Sequence, residues 1–249
     1  GPVSSDVADV DVTIDPDGTR LTVQIGGSGP EPTATAPPDI DPDDGEAAKA
    51  VVSAVLDDLR RDDLDSAAER WTAYPDLGPD APPADKKAAI EALVADPTFS
   101  RILHGDTDTF VTASWGWSTA VPVVTVLASR DGEDPPTAVA FLTGSSGDGP
   151  GAEGMSILRL PSTDAASEPD AAGSFAEPGH RIVVPGAPLE GGARAYIDGR
   201  EVPVDVDHAS LTMTITLPAD ITGDVAITVS AATPELPTAH AFALTIGSA

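Results

Sequence analysis

Hydrophobic positions change their period along the chain, and the changes divide it. Over residues 3–27 the period is two: Val10, Val12 and Ile14 alternate with polar neighbours, as do Leu21, Val23 and Ile25. Such alternation marks half-buried strands. Asp15-Pro16-Asp17-Gly18 lies between the two runs. Proline presets φ there and glycine supplies a positive φ, so the segment predicts an N-terminal β-hairpin. An isolated hairpin is marginal in water, so this one is expected to dock on something or to belong to a larger domain. Residues 28–44 have no apolar period and are rich in Pro, Thr and Asp, which reads as an extended linker. From residue 45 the period becomes helical. Ala48, Val52, Val55, Leu56 and Leu59 form one apolar stripe, and Asp43 with Glu46 has the spacing of a capping box. The charged break Arg60-Arg61-Asp62-Asp63 leads to a second short helix that brings Ala67, Ala68 and Trp71 to one side. A third helix is predicted over 85–95, with Pro97 ending it and Phe99, Ile102 and Leu103 forming a short helical turn after it.

The period then returns to two. Residues 109–117 place Val111, Ala113, Trp115 and Trp117 on one face. Further strands are predicted over 121–129 (VPVVTVLAS), 137–143 and 154–160, with Gly/Asp/Pro-rich turns between them. Helices followed by antiparallel strands predict an α+β domain over 45–160, its curved sheet covering the helices. Residues 161–174 read as a second linker. Over 175–249 the pattern is all β. Asp198-Gly199 is a strong two-residue hairpin turn. Leu211, Met213, Ile215 and Leu217 alternate with threonines, and Val225, Ile227, Val229, Phe242, Leu244 and Ile246 continue the pattern. About seven short strands at this spacing suit a β-sandwich. The two folded regions are expected to be separable and weakly coupled, with proteolysis falling in the linkers.

Two resemblances sharpen this reading. The opening AAKAVVSAVLDDLRRDDLDSAAERW and the strands VPVVTVLASRDG, TAVAFLTG and MSILRLP resemble the NTF2-like (cystatin-like cone) domains of exported bacterial lipoproteins. The stretch RIVVPGAPLEGGARAYIDGREV is similar to bacterial Ig-like surface modules, without the cysteines and core tryptophan of antibody domains. These resemblances imply an NTF2-like cone followed by an Ig-like sandwich. They also imply an extracytoplasmic protein, a lipoprotein or membrane-anchored ectodomain of a bacterial cell envelope. Domains of the cone type serve as enzymes, ligand binders or structural modules, so fold alone does not give function.

Composition narrows the chemistry. Acidic residues number 41 against 13 basic ones, for a formal charge of −28. That balance argues against nucleic acid, which needs a basic footprint, and against adsorption to anionic lipid. There is no cysteine, which removes disulfides, thiolate metal sites and a cysteine nucleophile. No apolar run of about 18 residues predicts a membrane span. Gly1-Pro2 matches what a tag-removing protease leaves, so any signal or anchor is expected upstream of this chain, and membrane association only through it. His104, His180, His208 and His240 show no metal-ligand spacing, and no nucleophile-elbow, P-loop or dinucleotide motif occurs. Neither a cofactor nor a catalytic residue is indicated.

Asp39, Asp41 and Asp43 have the opening spacing of a calcium loop, but Asp44 stands where that loop needs glycine and Ala50 where it needs glutamate. They are therefore at most weak calcium candidates, or an acidic linker that also caps the helix. With aromatics at only 4% of the chain, Trp71, Tyr74, Trp115 and Trp117 stand out as a cluster. They read either as the lining of a ligand pocket in the cone or as the filling of its core. The expected function is a non-catalytic ectodomain that binds another envelope protein or a ligand. The alternative is a small-molecule binder or enzyme using the cone's pocket.

Overall fold

The structure, a computed structural model, describes residues 9–14, 21–26, 40–72, 81–115, 120–129, 136–145, 154–161, 175–185, 193–207, 212–232 and 237–247. The chain divides into two compact units, residues 1–36 and 37–249. The first holds an antiparallel hairpin of β1 (Asp9–Ile14) and β2 (Leu21–Gly26). Its register sets Val10 opposite Ile25, Val12 opposite Val23 and Ile14 opposite Leu21, so apolar positions share one face as the alternation requires. The predicted turn 15–18 and most of both predicted linkers lie outside the described residues.

The second unit begins with helices. α1 (Pro42–Arg60) starts on a proline at its first turn, with Asp41 as N-cap accepting the Asp43 N–H at 2.9 Å. The cap thus lies two residues before the expected Asp43. Proline at N1 lacks only a donor that would be orphaned anyway, so the helix starts there at no cost. α2 (Leu64–Glu69) is capped by Asp63, and α3 (Pro83–Val94) again opens on proline. Pro97 does not merely end α3: it opens α4 (Pro97–His104), whose N-cap Asp96 accepts from Thr98 and Phe99.

A four-stranded antiparallel sheet follows in the order β3 (Asp106–Trp115), β4 (Ala120–Ser129), β5 (Thr137–Ser145), β6 (Met155–Ile157). Val124, Val126, Ala128, Val139 and Phe141 turn one face to the helices. Pro122 sits in a central strand, where its missing N–H would normally be costly. The β4–β5 ladder begins one residue later, at Val123 opposite Leu142, and the Thr143 hydroxyl donates to the Pro122 carbonyl at 2.9 Å, which satisfies that acceptor.

The remaining strands build a β-sandwich-like pair of sheets. They are β7 (Phe175–Ala176), β8 (Arg181–Pro185), β9 (Ala193–Ile197), β10 (Arg200–Val202), β11 (Val204–Asp207), β12 (Thr212–Thr216), β13 (Gly223–Ala232) and β14 (Pro237–Ile246). One sheet runs β10-β9-β13-β14-β7 and the other β11-β12-β8. Between them Ile182, Met213, Ile215, Ile227, Phe242 and Leu244 form an apolar core. The β9–β10 turn has Asp198 at φ 49° and Gly199 at φ 79°, the backbone of a type I′ hairpin turn. The Asp198 carboxylate accepts from the Ala226 N–H at 2.8 Å and ties the turn to β13.

The helix-and-sheet half and the sandwich half are not loosely strung. The four-stranded sheet buries its second face on β13 and β14. Leu127 and Ala138 meet Ala226 and Ala243, and Val123, Ala140 and Leu142 are buried beside Ala239 and Ala241. The layers therefore run helices, four-stranded sheet, five-stranded sheet, three-stranded sheet, with two of the sheets covered on both faces. The seam gives the two halves a buried apolar contact that the expectation of weak coupling did not foresee. Its cause is legible in the side chains: β13 alternates large residues inward (Val225, Ile227, Val229) with small ones outward (Ala226, Thr228). At its centre the hydroxyls of Thr125 and Thr228 lie 2.6 Å apart, both fully buried. Removing one hydroxyl strands the other in an apolar seam. Thr125→Val and Thr228→Val are each expected to cost about 1–3 kcal/mol, and the double variant less than their sum. Urea unfolding of the four proteins in this cycle checks it; additive losses would contradict it.

His240, on β14 opposite Val229, has a buried Nδ1 without a hydrogen-bond partner. Desolvation first, and Arg159 second, hold its pKa below the ordinary 6.5. The folded state thus prefers the neutral ring. That contribution is fully present above about 6.5 and is lost as pH falls from there through the lowered value, by at most about 1.4 kcal/mol per unit. Asp198 works the other way. Burial raises its carboxyl, so its penalty at neutral pH is relieved as pH falls through that raised value. His240→Gln is expected to gain stability relative to the parent chain as pH falls from 7 to 5. Parallel melting-temperature profiles for the two proteins would overturn this.

Candidate binding groove

The end of the seam opens into a groove of about 470 Å³. Val111, Thr112 and Ala113 of β3 line it between the two walls. Among the described residues β3 is an edge strand, paired with β4 alone. The Tyr196 O–H donates to the Ala113 carbonyl at 3.1 Å, so that carbonyl faces away from β4. In an antiparallel ladder the N–H and C=O of one residue point the same way and successive residues alternate. Val111 and Ala113 therefore turn their backbone groups to the groove, while Thr112 bonds into the sheet. The Ala113–Pro122 pairing agrees, since proline has no N–H to give at that position.

One wall is the first turns of α1. Asp41 caps the helix, Gly45 is buried above Val111, and Glu46 and Lys49 pair at 3.5 Å. A Cβ on Gly45 would meet the Val111 side chain at an ordinary 3.6 Å, so glycine keeps this wall low without being sterically required. The other wall is the β9–β10 hairpin. Its tip, Gly199, lies against the Val111 carbonyl and the Phe110 side chain, and its positive φ is one that residues with a Cβ adopt with strain. Arg194 donates to the Tyr196 oxygen at 3.2 Å and stands 3.6 Å from Glu201. Burial pushes the Tyr196 phenol up, against the opposing pull of Arg194, so it remains a hydrogen-bond donor at neutral pH. The rim carries Asp41, Glu46 and Glu201, and the deeper positions carry Lys49 and Arg194. Such a surface can hold backbone and charged groups, but it has no nucleophile with an adjacent base.

The residues singled out from sequence fall elsewhere. Trp71 is fully buried in the helix-facing core, 6.3 Å from Phe141 ring to ring, and its indole N–H donates to the Arg159 carbonyl at 3.2 Å. Trp115 is the last residue of β3, opposite Ala120 in the backbone register. Tyr74, Trp117, Asp39 and His208 lie outside the described residues. Asp41 and Asp43 are exposed at the start of α1, with the Asp43 N–H bonded to the Asp41 carboxylate. Among the described residues no group of three or more histidine or acidic side chains is arranged to hold a metal, and no helix is long and apolar enough to cross a membrane.

Sequence reasoning missed Arg194, Tyr196, Glu201 and Lys49. The one available signal was the alternation of Arg194 and Tyr196 with Ala195 and Ile197, which enter the sandwich core, ahead of the Asp198-Gly199 turn. Nothing local says that this hairpin meets α1. Compared with protein-family models, with curated proteins and with solved structures, the chain matches none.

Proposed function

We propose that the chain is a non-catalytic, extracytoplasmic binding module of a bacterial cell envelope, an NTF2-like cone fused to an Ig-like sandwich. The observation that supports it best is the groove itself. Its walls come from both halves, and its floor is a strand edge that no other strand among the described residues pairs with, a surface suited to recognition. The helix-facing core supports the non-catalytic reading, because Trp71, Phe99 and Phe141 fill the space that a cone pocket would occupy. The envelope placement rests on the resemblances and the cysteine-free composition. An amide-resolved NMR screen of the isotope-labelled chain against peptides and metabolites tests the binding site. Saturable shifts confined to residues 41–49, 111–113 and 194–201 are expected. Shifts confined to the helix-facing core around Trp71 would instead favour the ligand-pocket alternative.

A further inference from the structure

The groove's chemistry narrows its occupant, on the premise that it is the binding site. We propose that it takes an extended, lysine- or arginine-bearing segment of a partner protein, which lies along the free edge of β3. The edge supplies the first reason. Val111 and Ala113 present backbone groups that β4 does not use, and an extended chain satisfies such groups by main-chain hydrogen bonds. A volume of about 470 Å³ holds a few residues of such a chain rather than a folded element. The Ala113 carbonyl is already bonded by Tyr196 and the Gly199 tip lies against the Val111 carbonyl, so the outward N–H groups of Val111 and Ala113 are the docking points.

Charge supplies the second reason. Three carboxylates face two cations around the groove. The outermost groups are acidic: Glu46 is 78% and Glu201 53% exposed, against 39% for Lys49 and 22% for Arg194. The ion pairs are long, Lys49 at 3.5 Å from Glu46 and Arg194 at 3.6 Å from Glu201, and Arg194 keeps its bond to the Tyr196 oxygen whether or not Glu201 stays paired, so an incoming cation competes for those carboxylates at little cost. The chain's charge of −28 steers a basic partner towards it and repels an acidic one.

The test uses the full chain and three capped peptides of the same length and valine spacing: Val-Lys-Val-Lys-Val, Val-Glu-Val-Glu-Val and Val-Ser-Val-Ser-Val. The lysine peptide is expected to shift the Val111 and Ala113 amides saturably and to weaken as salt rises. The double variant Glu46→Lys/Glu201→Lys should weaken it at least tenfold. Asp85→Lys/Glu91→Lys, on exposed positions of α3, removes the same net charge away from the groove and should change it less than twofold. Val111→Pro should also abolish the groove shifts, because it deletes only an outward N–H and leaves the ladder to β4 intact. Should that variant unfold, the charge-reversal pair still decides. Equal weakening by both reversals would reduce the effect to general attraction and overturn the proposal. Tighter binding of the glutamate or serine peptide at the same amides would overturn the cationic partner while keeping the groove as a binding site. If no peptide and no metabolite moves those amides, the proposed function fails with it.

Discussion

Trp71→Ala is expected to destabilise the folded chain by about 3–5 kcal/mol, the range for truncating a large aromatic inside a packed core. Trp71 is 0% exposed and sits where α2 runs out beside β6. The Thr72 N–H donates to the Ile157 carbonyl and the Ile157 N–H to the Arg70 carbonyl, so the indole is clamped on both sides by backbone bonds. Its ring and that of Phe99 both meet Phe141. Removing the indole leaves a cavity that the clamped backbone cannot collapse into. Trp71→Phe keeps most of the volume and loses the bond to the Arg159 carbonyl, so it should cost clearly less. Urea unfolding followed by far-ultraviolet circular dichroism measures both without relying on tryptophan emission. A loss below about 1 kcal/mol for the alanine variant would mean that Trp71 lines an open pocket rather than filling a core.

The second large effect is expected at Asp58. This carboxylate is 3% exposed on α1. It is bonded by Arg61 on the turn after the helix and by Arg70 after α2, the latter at 3.0 Å. The pair of bonds clips the α1–α2 corner. Both arginines are far more exposed than the carboxylate they hold, 65% and 46% against 4% for its side chain, and the asymmetry decides the outcome. Deleting both guanidinium groups strands a buried charge, and Arg61→Ala/Arg70→Ala should cost about 3 kcal/mol, the lower end for a broken buried pair because its partners reach solvent. Each single replacement leaves one bond and should cost less than half of that. Adding Asp58→Ala to the double variant removes the stranded charge and should recover stability. If the triple variant is less stable than the double, the clip acts through packing of the side-chain stems instead.

Much of this architecture was legible because period and burial coincide. The stripe Ala48, Val52, Val55, Leu56 and Leu59 is buried as its spacing predicts, and Met213 and Ile215 point inward between half-buried threonines. The seam was less legible, although its traces are in the chain. The unbroken apolar run of β4 is what a strand covered on both faces needs. Read as one sheet over helices, it left a whole apolar face without a partner, and the small outward residues of β13 and β14 were the missing complement. Alanine and threonine are too common for that match to be seen without coordinates. The groove was not legible at all. It joins residues 41–49, 111–113 and 194–201, and no local pattern links segments so far apart. The tryptophans drew attention for rarity, and rarity does not distinguish a lining from a filling.

The account rests on the two halves being one folded unit joined through the seam, since the groove exists only where they meet. Native-state amide hydrogen exchange in rising sub-denaturing urea tests that most directly. If the seam couples the halves, the slowest amides of β4 and β5, such as Val126 and Val139, and those of β13 and β14, such as Ile227 and Leu244, will converge on one opening free energy with one urea dependence. If the sandwich amides open at a distinctly lower free energy while the four-stranded sheet keeps its protection, the halves are independent domains and the central claim is wrong.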